Sequence, residues 1–338
     1  MKKKLPDLIT IDSQSSVPIY KQIVQCIFKG IDKGHLAQND KLPSVNSIAE
    51  RFELARGSVF SAYNELRASG IIDSIPGKGY FITSTQTKFT QNIFLLFSSL
   101  TPYTEKLYNS IVQNLPEGSR VDLFFHHHNK IVFENLIREE ASRYNHFIIM
   151  PEIYEDTLSA LSVLDPGQVF LIDAGYKEYK KHFPGIYQNF EKDLYTLLSN
   201  HQQLVLKYKR LFLLIPKELP GKDIISGFNR FAKGNLIETA VIHEISWAGM
   251  KKGDAFIVID DDHLVDLVKC VREAKWVPGR DIGFLSYNET NLKSVVGDGV
   301  STISPDYAAM GKSIAEMLLA NERKVVENPF KMVDRHSF

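Results

Sequence analysis

Cysteine is nearly missing from this chain: only Cys26 and Cys270 occur in 338 residues. So few thiols, so far apart, give no disulfide framework, and reduced, buried thiols are the simplest reading. Net charge is missing as well, since 40 Lys and Arg offset 40 Asp and Glu. No stretch reaches the roughly 20 apolar residues of a membrane span. After Lys2, Lys3 and Lys4, the segment LPDLITIDSQSS has no apolar core of the length a signal peptide needs. A cytoplasmic protein without a membrane partner is expected, which argues against an exported solute-binding protein. P-loop, G-x-S-x-G, H-E-x-x-H and C-x-x-C patterns are also absent, so neither a catalytic residue nor a cofactor is expected.

Two clusters invite a metal. His126, His127 and His128 close a strand-like run, where successive side chains point to opposite faces and do not easily converge on one ion. Of Asp260, Asp261 and Asp262, the third falls where a helix N-cap belongs. No metal site is expected from either.

What is present is ordinary globular composition, 44% hydrophobic and 24% charged, in a length that suits two domains. Charge is divided between them: residues 1–84 hold 11 Lys and Arg against 8 Asp and Glu, a surplus of 3 that the remainder cancels. A surplus that small needs specific contacts beside it if the partner is a nucleic acid.

Ile19, Ile23, Ile27 and Ile31, with Val24 and Phe28, form one apolar stripe of a helix that Gly34 stops. LPSVNSIAERF then starts a second helix with Val45, Ile48, Ala49 and Phe52. ARGSVFSAYNELRASG makes a third, with Val59, Ala62, Tyr63 and Leu66 inward and Gly70 at its end. IIDSIPGKGYFIT reads as a hairpin around Pro76, Gly77, Lys78 and Gly79. Three helices and a basic glycine wing form a winged helix-turn-helix, mainly α with a β-hairpin. The start of its third helix offers free amides and a positive dipole end to phosphate.

The segment from Val17 to Ser84 resembles the DNA-binding domain of the GntR family. It has the P-I-Y-x-Q-I start, the G-x-L-x-x-x-D-K-L-P-S turn and the G-K-G-Y-F wing. The resemblance implies a double-stranded operator DNA partner. It puts Arg56, Gly57 and Ser58 where a recognition helix meets bases and phosphates, Gly77, Lys78 and Gly79 on a wing tip at the minor groove, and Ser44 against backbone phosphate. Asn46 stands where the family often has arginine, and Phe60 where a basic or polar residue is frequent, so the operator need not match the family's commoner sites.

Residues 85–91 are polar and aperiodic, a linker between domains 1–84 and 92–338. Beyond them, apolar runs at 93–97, 121–125, 147–150, 169–173, 210–215, 238–245, 255–260 and 282–287 alternate with helical patterns. Such alternation predicts parallel α/β sheets in two Rossmann-like lobes. IFLLFSSLTPYTEKLYNSI, YNHFIIMP, the segment from Gly253 to Glu289, ISPDYAAMGKSIAEMLL and FKMVDRHSF resemble the LacI-type, periplasmic-binding-protein-like effector domain. That resemblance implies chain crossings near Gln188, near Asn288 and around Asn321 to Pro329, with a small-molecule effector at the carboxyl ends of the strands.

By position, the ligand-binding candidates are Tyr103, Asp173, Gln188, Asn189, Trp247, Asp261 and Asn288. Ile224 stands where many relatives have an arginine, with Lys222 and Asp223 beside it. Carboxylates and amides pair with hydroxyls while an aromatic covers an apolar ring face. A monosaccharide, for instance a deoxyhexose, is therefore the first choice; nucleosides and other polar metabolites share the chemistry. Together the two resemblances imply a homodimeric transcription regulator whose operator affinity follows its effector. The alternative from another class is a DNA-tethered sugar-modifying enzyme, which would turn candidate sugars over. A fused pyridoxal-phosphate aminotransferase is opposed by the short remainder and by the lack of a recognisable Schiff-base lysine.

Overall fold

The structure is a computed structural model that describes residues 8–12, 18–85, 91–140, 144–152, 156–217, 219 and 221–338. The Lys2–Lys4 run and most of the 85–91 linker lie outside the described residues. The chain falls into two compact units. One gathers Met1–Ser99, Asn114–Leu171 and Leu318–Glu322; the other gathers Leu100–Gln113, Ile172–Met317 and Arg323–Phe338.

At the start of the first unit stand α1 (Ile19–Asp32), α2 (Val45–Arg51) and α3 (Arg56–Ala68), then strands β1 (Ile72–Ile75) and β2 (Gly79–Ile82). Their core is the stripe expected of them: Ile23, Ile27, Ile48, Val59, Ala62, Tyr63 and Leu66 are all fully buried. Ile19, Val45, Phe28 and Phe52 pack at its margin. Buried Tyr63 satisfies its hydroxyl by donating to the Pro43 carbonyl at 2.8 Å, which ties α3 to the turn before α2. The wing carries a third edge that the sequence pattern hid. Lys41 bridges Phe81, and amides of Asn39 and Leu42 donate to the carbonyls of Ile82 and Tyr80. Backbone pairing needs no apolar alternation, so Asn39–Leu42 looked like plain turn. Cys26 and Cys270 are free, and half-buried rather than buried.

The α/β part begins with β3 (Asn92–Phe97), α4 (Pro102–Gln113), β4 (Arg120–Phe125), α5 (Lys130–Glu140), β5 (His146–Ile149) and α6 (Thr157–Leu161). It continues through β6 (Val169–Asp173), α7 (Tyr176–Tyr179), β7 (Gly185–Tyr187), α8 (Phe190–Asn200), α9 (Gln202–Val205) and β8 (Arg210–Leu214). Then come α10 (Lys222–Lys233), β9 (Glu238–Ile242), β10 (Asp254–Val258), α11 (Asp261–Glu273), β11 (Gly283–Tyr287) and β12 (Ser301–Pro305). The chain ends with α12 (Tyr307–Leu319), β13 (Val325–Glu327) and β14 (Phe330–Val333). One six-stranded sheet has the order β13-β7-β6-β5-β3-β4, the other β14-β12-β11-β10-β8-β9. The β12–β14 pair is antiparallel. Strands β3, β6, β10 and β11 are buried along their whole length, as both-face coverage by helices requires.

One expected crossing is corrected. The chain does not leave its sheet near Asn288, because β11 and β12 are parallel neighbours, with Leu285 opposite Ser301. It leaves at Asp306, where α12 begins. Strand β12 was invisible in the sequence because it reads STISP, not an apolar run. Its buried hydroxyls are satisfied inside the fold: Ser301 donates to Asp334, Thr302 to Glu289 and Ser304 to the Pro305 carbonyl.

Helix α12 crosses α4 with almost no clearance. Ser110 on α4 donates to the Ala308 carbonyl at 2.7 Å. A Cβ at Gly311 would meet the Ser110 Cβ at 2.6 Å and the Ile111 backbone nitrogen at 2.9 Å. Only glycine lets these backbones approach so closely. Gly311→Ala is expected to destabilise the effector domain by roughly 1–3 kcal/mol through overpacking, visible as a fall in Tm of about 2–4 °C per kcal/mol. An unchanged melting curve would show that the crossing has slack.

Candidate DNA interface and effector site

The outer surface of α3 offers what a duplex needs. Arg56 and Gly57 occupy its first turn, exposed, after an Ala55 N-cap whose side chain makes no capping bond. The first amides of a helix have no i−4 acceptor within it; here the Ser58 amide donates to the Ala55 carbonyl at 3.0 Å. A Cβ at Gly57 would meet nothing within 4 Å, so the fold itself does not demand glycine there. Glycine inside a helix costs about 0.5–1 kcal/mol relative to alanine, a cost repaid if a phosphate backbone approaches this surface closely. Ser58 is half-buried. Asn46 is exposed on α2, whose N-cap is Ser44; the Ser44 hydroxyl accepts from the Ser47 amide at 3.1 Å and keeps its proton for another acceptor. Lys78 is exposed at the wing tip between Gly77 (φ 73°) and Gly79 (φ 103°), in a turn closed by its amide on the Ile75 carbonyl.

Gly57→Ala should therefore stabilise the folded domain slightly while weakening operator binding. Parallel thermal melts and DNA titrations check both; unaltered DNA affinity would take Gly57 off the contact surface.

The effector-site candidates gather in the second unit, at strand exits. Buried strand β6 ends on Asp173 (φ 65°) and β11 is followed directly by Asn288 (φ 66°), both in the left-handed region. Aspartate and asparagine tolerate it better than most residues. Tyr103, at the start of α4, stacks on Tyr307, at the start of α12, with ring centroids 4.9 Å apart and planes 23° apart. The Tyr307 hydroxyl donates to Asn288 Oδ1 at 3.1 Å, leaving the Asn288 NH₂ to donate elsewhere. Burial, then the charge of Asp173, raises the Tyr307 phenol well above its ordinary pKa, so it stays a donor.

Behind this group runs a second set. Gln188 is buried; its Nε2 donates to Asp193 Oδ2 at 2.5 Å, and its Oε1 accepts from Asn328 Nδ2 at 2.9 Å. Burial pushes the Asp193 carboxyl up to about 6. The Tyr287 hydroxyl and Asn328 Oδ1 are buried with no hydrogen-bond partner among the described residues. Burial raises the Tyr287 phenol strongly, followed by the nearby charges of Asp193 and Asp173. Tyr287, Tyr307, Asp193 and Asn328 were all missed in the sequence. A tyrosine in a strand reads as core, and only the unpartnered polar atoms reveal the difference.

Three candidates fare otherwise. Asp261 is 59% exposed and forms an ion pair at 2.7 Å with Lys293, itself 3% exposed. Lys293 also donates to the carbonyls of Tyr287 and Asn288 at 2.7 and 2.8 Å. Asp261 therefore holds the lysine that fixes the Asn288 turn. Asn189 bonds Glu327, which Lys192 and Tyr176 also hold. Trp247 lies in a short 3₁₀ turn, and its side chain is outside the described residues. Beside the missing arginine, Asp223 joins Glu191 in clasping Lys177, at 2.8 and 2.6 Å. Bonds to Asp223 and then Glu191 raise the lysine pKa to about 12.

The tempting clusters have plain structural roles. The N-cap of α11 is Asp260, not Asp262: its carboxylate accepts from the His263 amide at 3.0 Å. β4 stops at Phe125, and His127 and His128 adopt φ of 49° and 56°, a turn rather than an alternating strand end. His126 lies 3.3 Å from the Met150 carbonyl, and burial lowers its pKa to about 4. His128 pairs with Glu152 at 2.6 Å.

The family profile of bacterial regulatory proteins of the gntR family matches residues 19–82, and that of a periplasmic binding protein-like domain matches residues 220–338. The chain thus joins a segment similar to the gntR family profile to one similar to the periplasmic binding protein-like profile. The HTH-type transcriptional repressor YtrA of Bacillus subtilis is 41% identical over 76 residues, 22% of this chain and 58% of that protein, so the chain spans less than two thirds of that relative. The arabinose metabolism transcriptional repressor of Geobacillus stearothermophilus is 23% identical over 345 aligned positions, 90% of this chain and 92% of that protein.

Solved structures with the same fold include the lactose repressor bound to the anti-inducer ONPF. Its TM-score is 0.60 at 17% identity, over 73% of this chain and 99% of that one. A LacI family transcriptional regulator from Lactobacillus casei with bound glucose has a TM-score of 0.60 at 16% identity, over 74% and 100%. Among the described residues no helix is long and apolar enough to cross a membrane.

Tyr307→Phe keeps the aromatic stack but leaves Asn288 Oδ1 without its donor. A buried acceptor left unpaired costs about 1–3 kcal/mol, so effector binding should weaken by a corresponding amount while the melting temperature moves little. Equal effector affinity in calorimetry would detach Asn288 from the site.

Proposed function

We propose that the protein is a homodimeric, cytoplasmic repressor or activator whose affinity for a palindromic operator is set by a neutral monosaccharide at the strand-exit cluster. The observation that carries the reading is the Asn288 amide, oriented by Tyr307 beside the Tyr103–Tyr307 stack. An aromatic face with a fixed amide and a nearby carboxylate, Asp173, suits a ring that is apolar on one face and hydroxylated at its rim. The arabinose-metabolism repressor and the glucose-bound relative favour the same class of ligand. A GntR-type head on each of two symmetry-related subunits would engage one half-site apiece. Arg56 would fork onto guanine in the major groove. Lys78 would contribute charge with little sequence information.

A thermal-shift screen of monosaccharides, aldopentoses and deoxyhexoses included, is the direct test. A binder at 100 times its Kd should stabilise by about 2.7 kcal/mol. With that ligand, Tyr103→Ala and Asn288→Ala should each lose about tenfold or more in effector affinity, roughly 1.4 kcal/mol. Both should still bind operator without effector. Wild-type effector affinity in both variants would place the pocket elsewhere, and turnover of the sugar would favour an enzyme.

A further inference from the structure

We propose that Phe60 reads the C5-methyl group of a thymine in the major groove and thereby sets one base of the operator half-site. The inference rests on the reading of α3 as the recognition helix and adds a base preference to it. Among the described residues of the DNA-binding domain, only Phe60 and Ile75 are exposed large hydrophobics, and Phe60 is 51% exposed. Its place on the helix is informative. Val59, Ala62, Tyr63 and Leu66 take the buried face of α3. Phe60 follows Arg56 by four residues and Gly57 by three, so these three side-chain positions neighbour one another on the outer face.

A benzyl side chain has no polar atom with which to bond phosphate or the donors and acceptors of a base edge. Of the four bases in a major groove, only thymine presents an apolar group, its methyl. Gly57, beside it, has no side chain, and an added Cβ there would meet nothing within 4 Å, so nothing of this fold stands between the Phe60 ring and an approaching duplex on that side.

The test uses the full chain and a pool of randomised DNA duplexes. Wild-type protein selects its site, and each dT of that site is then replaced singly by dU, which removes the methyl and leaves every hydrogen-bonding group in place. Burial of one methyl corresponds to a factor of about four. One dU position per half-site should therefore weaken the wild type by about that factor. Phe60→Ala should bind the dT and dU duplexes equally, and Phe60→Leu, which keeps an apolar side chain, should retain part of the difference. Melting curves establish that both variants are folded.

The proposal is overturned if no dU substitution affects the wild type, or if Phe60→Ala keeps the full dT preference at the same position. Failure of the wild type to select any sequence would instead overturn the DNA-binding reading, and this inference with it.

Discussion

Burial of the parallel strands on both faces is the constraint on which the effector domain depends. Strands such as β6 and β11 are covered from end to end, so charged and amide side chains find room mainly where the strands leave the sheet. Polar chemistry is driven to those exits, and there the backbone turns sharply. Asp173 and Asn288 stand at the two exits in the left-handed conformation. Their short polar side chains bear that conformation with less strain than a branched or bulky residue would. The same burial thus concentrates hydrogen-bonding groups at the strand exits of the two sheets.

Those groups are held by a shell that is itself polar and buried, which is costly unless every member has a partner. Lys293 shows how this is met. It is nearly inaccessible, yet it spends its donors on the carbonyls of Tyr287 and Asn288 and on the carboxylate of Asp261. Removing a partner from such a buried cation leaves an uncompensated charge, whereas an exposed ion pair such as Lys269 with Asp266 is worth little. Tyr287 and Asn328 are the exceptions in the shell, with buried polar atoms that have no partner among the described residues. Groups of that kind gain most from a hydroxylated ligand.

Legibility in the sequence followed periodicity. The isoleucine stripe of α1 and the inward set of α3 were readable because an amphipathic helix repeats its apolar residues on one face, and both sets are buried. The central strands of the two sheets were readable as unbroken apolar runs. Elements without such a signal were not: β7 and β13 are three residues each, β12 is made of hydroxyl residues, and the third edge of the wing is held by backbone alone. The site divided on the same line. Tyr103, Asp173, Gln188 and Asn288 could be proposed as candidates from their positions at strand and helix ends. Tyr307, Lys293 and Asp193 were not, because their roles depend on neighbours distant in sequence. Asp260 rather than Asp262 became the cap because helix ends shift by a residue or two relative to any pattern.

Backbone ties at the crossovers limit how an effector can act. The Gln188 amide donates to the Asp173 carbonyl at 2.7 Å, and the Asn328 amide donates to the Tyr187 carbonyl at 2.8 Å. Side chains of Gln188 and Asn328 then join each other. Three strand exits are stitched into one row, and the Pro329 carbonyl just beyond it accepts from the Asp306 amide at 2.9 Å. Of the candidate residues, Asp173 and Gln188 belong to this row, whereas Asn288 follows a strand of the other sheet. A ligand acts on such a fold through its affinity for each conformation. It can shift a conformational equilibrium only by the difference between its affinities for the two states. Moving such an equilibrium from 1:99 to 99:1 requires about 5.5 kcal/mol of that difference. Single hydrogen bonds to charged or buried groups supply about 1–3 kcal/mol each. Several contacts must therefore change together, which a cluster assembled from α4, α12, β6 and β11 can provide and a single residue cannot.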